Sequence, residues 1–84
     1  MSATLFGRVS SGGLPATMAV VEVHNSAGDV VDQVQVDSEG AFTYHLCPGD
    51  WHLEAWDSAG NRGAADVTLD EGEARIELEI GPPA

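Results

Sequence analysis

The stretch from residue 40 to residue 56 constrains the fold most, because apolar and polar residues alternate in it. Apolar side chains occupy every second position of residues 42–46 and again of residues 51–55, with Pro48-Gly49 between the two arms. A period of two is that of a β-strand with one buried side and one solvent-facing side. The pattern predicts a β-hairpin with its tip at Pro48-Gly49. The side chains predicted to fill the core are those of Phe42, Tyr44, Trp51 and Leu53.

The same alternation recurs along the chain, in seven short segments between Ala3 and Ile80 that are separated by turn sequences. Two of these turns begin at Asp37 and Asp57, whose carboxylates we expect to stabilise the turns rather than to bind Ca²⁺. No stretch has the apolar period of an amphipathic helix. Short strands with a turn about every ten residues are typical of a β-sandwich or barrel.

The charge balance is strongly acidic. Fourteen Asp and Glu face three Arg and no Lys, which gives a formal net charge of −11. Such a surface repels phosphate backbones and anionic lipids, so we expect binding neither to nucleic acid nor to membranes. Two interpretations of the acidity remain open. It is either a solvating surface suited to high salt, or a face that meets a basic partner or cations.

Cysteine usage and hydropathy indicate the compartment. Cys47 is the single cysteine of the sequence, which excludes an internal disulfide. No apolar run approaches the ~20 residues that span a bilayer. The first residues lack the basic start and apolar stretch of a signal peptide. We therefore expect a cytoplasmic protein.

Several motifs resemble those of the carboxypeptidase regulatory-like family of transthyretin-like domains. They are Gly7-Arg8-Val9, Gly13-Leu14-Pro15, residues 19–23, Asp37-x-x-Gly40-x-Phe42 and Pro48-Gly49-x-Trp51-x-Leu53. The resemblance extends from about Thr4 to Ile80 and is greatest to small stand-alone bacterial members of uncharacterised function. It implies an all-β, single seven-stranded Greek-key β-sandwich without substantial helix. Domains of this family commonly act as folding, spacing or docking modules.

The domain prediction is one domain over residues 1–84, with an ordered core over about 3–80 and a frayed tail at 81–84. The 5-hydroxyisourate hydrolases of the same superfamily end in a Tyr-Arg-Gly-Ser tetrad that this sequence lacks, and the isopeptide-forming pilin-type domains need a lysine. We therefore expect no enzymatic activity and no cofactor.

Two histidines are candidate ligands. A hairpin with its tip at Pro48-Gly49 places His45 opposite His52, with Cβ atoms about 4.5–5.5 Å apart. Both imidazoles could then reach one metal ion, with Glu54, Asp50 or Cys47 as the third ligand. The simpler interpretation is a solvated cross-strand pair, and no bound metal is expected. His24 is interpreted as a surface or turn-capping residue.

Trp56 is predicted to share the solvent-facing side with His52 and Glu54. There it either anchors a partner, stacks on a sugar ring, or is covered within the monomer. Cys47 is a thiol candidate. Some of the similar bacterial domains are encoded near thiosulfate sulfurtransferases, which implies a sulfur-accepting role. The alternative for Cys47 is an ordinary turn residue.

These observations favour a non-catalytic interaction or accessory module that docks on a larger protein or self-associates. The candidate binding residues are Trp56, His45, His52 and Glu54. The alternative is a ligand- or metal-binding or sulfur-accepting accessory protein that uses His45 and His52 or Cys47. Carbohydrate binding through Trp56 rests on fold analogy alone.

Overall fold

The computed structural model describes residues 2–82, which form eight β-strands and no helix. The strands are β1 (Ala3–Ser11), β2 (Leu14–Pro15), β3 (Val20–His24), β4 (Val30–Gln35), β5 (Ala41–Leu46), β6 (Gly49–Trp56), β7 (Arg62–Leu69) and β8 (Gly72–Ile80). The all-β prediction is confirmed. The number of strands is eight rather than seven because Leu14–Pro15 folds back on the end of β1 as an additional short strand.

The strands form two four-stranded sheets. In sheet A, β1 pairs with β2 and β5 and, in parallel, with β8. Sheet B has the order β4-β3-β6-β7, and all its pairs are antiparallel. Alternate residues of both sheets are buried between them, so the molecule is a β-sandwich with its core between the inner faces. The largest fully buried side chains are Leu5, Val9, Val21, Val23, Leu53, Leu69, Leu78 and Ile80.

Aromatic side chains occupy the inner face of β5. The rings of Phe42 and Tyr44 lie edge to face, with centroids 5.9 Å apart. The Tyr44 hydroxyl crosses the core and donates a buried hydrogen bond of 2.8 Å to the carbonyl oxygen of Val21 on the other sheet. Burial raises the pKa of Tyr44 to about 12. On the neighbouring β1, Gly7 lies opposite Phe42, and the Phe42 ring occupies the place that a Cβ at Gly7 would take.

Carboxylate-capped turns end two of the connections. The Asp37 Oδ1 accepts hydrogen bonds from the N–H groups of Glu39 and Ala41, at 2.8 and 2.9 Å, and these bonds lower the pKa of Asp37. Gly40 supplies the positive φ of 78° that this turn requires. Asp57 stabilises its own turn in the same way. The turn-stabilising interpretation of both residues is confirmed.

The predicted hairpin around Pro48-Gly49 is wrong. β5 belongs to sheet A, where it pairs with β1, whereas β6 belongs to sheet B, where it pairs with β3 and β7. The chain therefore crosses from one sheet to the other at Cys47-Pro48. The inward residues were nevertheless correct, because alternation depends only on the pleat of each strand. Phe42, Tyr44 and Leu53 are buried, and Trp51 packs partly buried against them.

Gly81, the first residue of the predicted frayed tail, is paired with the backbone of another strand. The backbone of Gly81 exchanges hydrogen bonds of 2.8 and 3.0 Å with that of Arg62. Gly81 is therefore held against the start of β7. The last two predicted tail residues, Pro83 and Ala84, lie outside the described part of the chain.

Candidate functional site on the outer face of sheet B

The outer face of sheet B carries most of the candidate side chains. On β6 the buried Leu53 and Ala55 point inward, so His52, Glu54 and Trp56 point outward together. The register with β3 and β7 places further residues beside each of them. The resulting cross-strand rows are Val20–Trp56–Arg62, Glu22–Glu54–Ala64, His24–His52–Asp66 and, at the end of the sheet, Asp50–Thr68.

His45 does not belong to this face. It is exposed on β5 in sheet A, opposite Thr4, whose hydroxyl lies 3.4 Å from the His45 Nδ1. The predicted pairing of His45 with His52 is therefore wrong, because β5 and β6 lie in different sheets. The residue opposite His52 is His24, and the two rings meet edge to face with centroids 5.6 Å apart.

Five side chains around these two rings form what we call the histidine–carboxylate cluster. They are Glu22 and His24 on β3, His52 and Glu54 on β6, and Asp66 on β7. The cluster forms because three adjacent strands pair in register, and each contributes alternate residues that point to the outer face. Its members come from separate stretches of sequence, and only the pairing of the strands brings them together.

His52 is held between two carboxylates. Its Nδ1 lies 2.7 Å from Oδ1 of Asp66, and its Nε2 lies 3.3 Å from Oε2 of Glu54. The hydrogen bond with Asp66 is the main cause that raises the pKa of His52 above its usual value. The same bond fixes the orientation of the ring.

His24 is more deeply placed, with 14% of its side chain exposed. Its Nε2 lies 2.7 Å from Oε1 of Glu22 and 3.7 Å from Oε2 of Glu54. The contact with Glu22 is short but lacks hydrogen-bond direction, and the His24 Nε2 is buried without a hydrogen-bond partner among residues 2–82. Buried polar atoms without a partner are uncommon in folded proteins.

Trp56 lies half-buried at the other end of this face. The guanidinium of Arg62 stands 6.0 Å from the centre of its ring, a cation–π distance. Sheet A packs on the other side of β6, where Leu53 and Ala55 are buried, so within residues 2–82 it does not cover the tryptophan. The indole is therefore held in place by its neighbours within sheet B and keeps part of its surface in solvent.

The remaining predicted ligands are not brought to the two rings. Asp50 accepts a hydrogen bond of 2.7 Å from the Thr68 hydroxyl. Cys47 is exposed at the crossing between the sheets, and its carbonyl accepts a hydrogen bond of 2.9 Å from the Trp51 indole. Among residues 2–82, no group of three or more His, Cys, Asp or Glu side chains could hold a metal ion.

An open depression of about 710 Å³ lies over the cluster. His24, His52, Glu54 and Asp66 form its floor together with the β3–β4 turn at Asn25. Sequence reasoning missed Glu22, His24 and Asp66 as members of the site. The alternation along residues 20–24 puts Glu22 and His24 on one side of their strand, but nothing local to the sequence says which strand lies next to β6.

The outer face of sheet A differs in character. Its depression is lined by Phe6, Arg8, Arg75 and Glu77, with the Arg75 guanidinium 5.1 Å from the centre of the Phe6 ring. Both signs of charge are mixed along β8, where Glu77 follows Arg75 at the next outward position. No acid–histidine cluster forms there among the described residues.

Comparison with known proteins places the chain in a family. A family model described as "Protein of unknown function (DUF1416)" matches residues 1–80. The crystal structure of a DUF3823 family protein from Parabacteroides merdae is similar over 96% of this chain, with a TM-score of 0.74 and 22% sequence identity. The chain spans 46% of that protein, and at this identity the likeness shows the fold alone. No protein with a curated description matches the sequence. Residues 2–82 contain no helix able to cross a membrane.

Proposed function

We propose that this chain, which belongs to the DUF1416 family of unknown function, is a non-catalytic interaction module that docks on a basic surface of a larger protein. The docking surface in this proposal is the outer face of sheet B. The observation that carries it is the part-exposed Trp56 on the same face as four carboxylates, those of Glu22, Asp50, Glu54 and Asp66.

Charge selects the kind of partner. The net charge of −11 gives the whole molecule a negative field, and the outer face of sheet B adds local carboxylates with Arg62 as its cation. Complementary charge speeds encounter and excludes wrong partners. A face of this kind fits a surface rich in Arg and Lys, and it repels a second copy of itself.

Trp56 supplies the affinity in this proposal. Tryptophan is enriched among the residues that dominate binding energy at protein interfaces. Arg62 and the neighbouring strand residue Val20 already restrict the indole, so little side-chain entropy is lost when a partner covers it. The outer face of sheet A offers Phe6 instead, but under Arg75 and among mixed charges.

We also propose a structural group and a cellular location for this chain. The motifs between Gly7 and Leu53, together with the two-sheet sandwich, support membership of the carboxypeptidase regulatory-like group of transthyretin-like domains with Greek-key connections. The proposed location is the cytoplasm, which the single cysteine of the sequence supports.

Site-specific photo-crosslinking tests the docking surface. A photoreactive residue replaces the exposed Ala64, which lies beside Glu54, or, as the matched control, the exposed Thr43 on the outer face of sheet A. In cells of the native host we expect adducts from position 64, on a partner peptide rich in Arg or Lys. Adducts from position 43 alone, or only with a second copy of this chain, would refute the proposal.

Affinity for the crosslinked partner tests the anchor. Trp56→Ala should weaken binding by about 2 kcal/mol, which is roughly 30-fold in Kd, whereas Phe6→Ala should leave Kd within about twofold. Isothermal titration calorimetry with the purified partner measures both. Equal losses for the two variants would show that the face of sheet B has no special role.

A further inference from the structure

We propose that His24 and His52 make docking through the outer face of sheet B dependent on pH: when both imidazoles take up a proton, the histidine–carboxylate cluster loses most of its negative charge and the face holds its basic partner less tightly. This regulation rests on the proposed docking function, because it concerns the charge of the same face. The protonation of the two histidines can nevertheless be measured without a partner.

Three carboxylates surround the two imidazoles at close range. On β7, Asp66 lies 2.7 Å from the Nδ1 of His52. On β3, Glu22 lies 2.7 Å from the Nε2 of His24. Between them on β6, the Oε2 of Glu54 is 3.3 Å from the His52 Nε2 and 3.7 Å from the His24 Nε2. Every proton that either ring takes up is therefore placed next to a carboxylate of the docking surface.

Other charged groups are farther from the rings in the described part of the chain. From β4, the residue opposite His24 is Val30. The turn before β4 lines the depression with uncharged residues, which are Asn25, Ser26 and Gly28. Asp50, the fourth carboxylate of the face, lies one row beyond His52. Arg62 lies two rows away on the other side, about 13 Å along the strands, which exceeds the screening length of about 8 Å in physiological salt.

The geometry favours the protonated form of each ring. The hydrogen bond with Asp66 is the main cause that raises the pKa of His52. The buried Nε2 of His24 has no hydrogen-bond partner among residues 2–82, although oxygens of Glu22 and Glu54 face it. A proton on this nitrogen makes that contact attractive, whereas a lone pair is repelled by the same oxygens. The ring centroids are 5.6 Å apart, so the two histidines titrate as a coupled pair.

Proton uptake changes the charge of the cluster by a large fraction. With both imidazoles neutral, the three carboxylates give the cluster a charge of −3, and with both protonated the charge is −1. A surface rich in Arg and Lys is attracted by the first state much more than by the second. Histidine is the side chain whose ordinary charge change falls between pH 5 and 8. Docking should therefore weaken as the pH falls through this range.

Docking and protonation affect each other reciprocally. Because protons on the cluster weaken docking, a docked basic partner must expel protons from the cluster by the same factor. The number of protons released on binding is measured by calorimetry in buffers of different ionisation enthalpy. It should be positive near pH 6.5 and fall towards zero at pH 8.5, where both rings are already neutral.

An NMR titration of the full chain without a partner tests the protonation step. The imidazole nitrogen signals of His24 and His52 should both report protonation between pH 8.5 and 5. Asp66→Asn should lower the midpoint of His52, because it removes the hydrogen bond that favours the charged ring. His45→Asn is the matched control and should leave both rings unchanged. A ring of the cluster that is still neutral at pH 5 would overturn the proposal.

Calorimetric titration with an octa-arginine peptide tests the effect on docking. In physiological salt, Kd should rise about tenfold between pH 8 and 5.5 for the unmodified chain and for His45→Asn. For the double variant His24→Asn and His52→Asn it should change less than about twofold. His52→Asn alone, at a side chain that is 38% exposed, should reduce the rise to about threefold and serves if the double variant unfolds. Thermal unfolding at both pH values shows which variants are folded.

The outcomes separate regulation from docking. Binding that is as tight at pH 5.5 as at pH 8, or a pH dependence that persists in the double variant, would overturn the regulation and leave docking standing. An equal loss of pH dependence in His45→Asn would also overturn it, since the net charge of the molecule would then be the cause. No binding of the peptide at pH 8 would refute docking on a basic surface, and the regulation with it.

Discussion

Replacing Gly7 by alanine puts a methyl group where the ring of Phe42 now lies. The atoms it would meet are Cζ, Cε1 and Cε2, at the far end of the ring. Phe42 is 4% exposed and packs against Tyr44, so the ring has little room to withdraw. We expect Gly7→Ala to lower the free energy of unfolding.

Two opposing effects set the magnitude. Overpacking a well-filled core costs about 1–3 kcal/mol. Alanine also restricts the unfolded chain, which favours the folded state by about 0.5–1 kcal/mol at a position without positive φ. The net expectation is a loss of about 1–2 kcal/mol, or a Tm lowered by roughly 4–16 °C for a domain of this size.

A double-mutant cycle isolates the contact. Leucine ends at Cδ and lacks all three clashing ring atoms, so in a Phe42→Leu background the same Gly7→Ala change should be neutral or stabilising by about 0.5 kcal/mol. Urea denaturation measures all four proteins. Gly81→Ala, which adds a Cβ to open space, is the control and should stay within about 0.5 kcal/mol. The same loss from Gly7→Ala in both backgrounds would refute the packing argument.

Two further predictions concern titrating groups. The pKa of Tyr44 is raised to about 12 from its usual 10, so its contribution to stability is present below pH 10 and lost as the pH rises towards 12. Tyr44→Phe should remove this loss of stability at alkaline pH. It should also lower the free energy of unfolding by about 1–3 kcal/mol at neutral pH, because the Val21 carbonyl loses its hydrogen-bond donor. Phenolate absorbance measures the pKa and urea denaturation the stability; an unchanged loss of stability at alkaline pH in the variant would contradict the prediction. Asp37 and Asp57 have lowered pKa values, so the stability they contribute is present above their usual 3.8 and lost as the pH falls through the folded values. Asp57→Asn should flatten the acid limb of unfolding measured between pH 5 and 2, and a limb as steep as that of the unmodified chain would contradict this expectation.

Alternation along each strand was sufficient to predict the strands and their buried sides. Phe42, Tyr44 and Leu53 are inside because the pleat sends every second side chain to one face, whatever the strand pairs with. The short connection at Cys47-Pro48 does not indicate which strands pair. In the structure it joins a strand of sheet A to a strand of sheet B, so the predicted hairpin is absent.

For the candidate site, too, alternation predicts only which side chains of one strand share a side. His52, Glu54 and Trp56 share a strand, so their common side follows from their spacing. His24 and Asp66 reach them only through the register of β3 and β7 with β6, which long-range packing determines. His45 lies outside the site because β5 and β6, although consecutive along the chain, pair within different sheets.

The parallel pairing of β1 with β8 bears on how the molecule is made in the cell. Ala3 lies beside Gly72 and Ser11 beside Ile80, so one flank of β1 stays open until β8 has left the ribosome. An unpaired strand rich in apolar side chains invites the wrong neighbours during that wait. Joining segments so distant in sequence is also slow, because the intervening chain must be ordered first. Sheet A is therefore completed only when β8 pairs with β1.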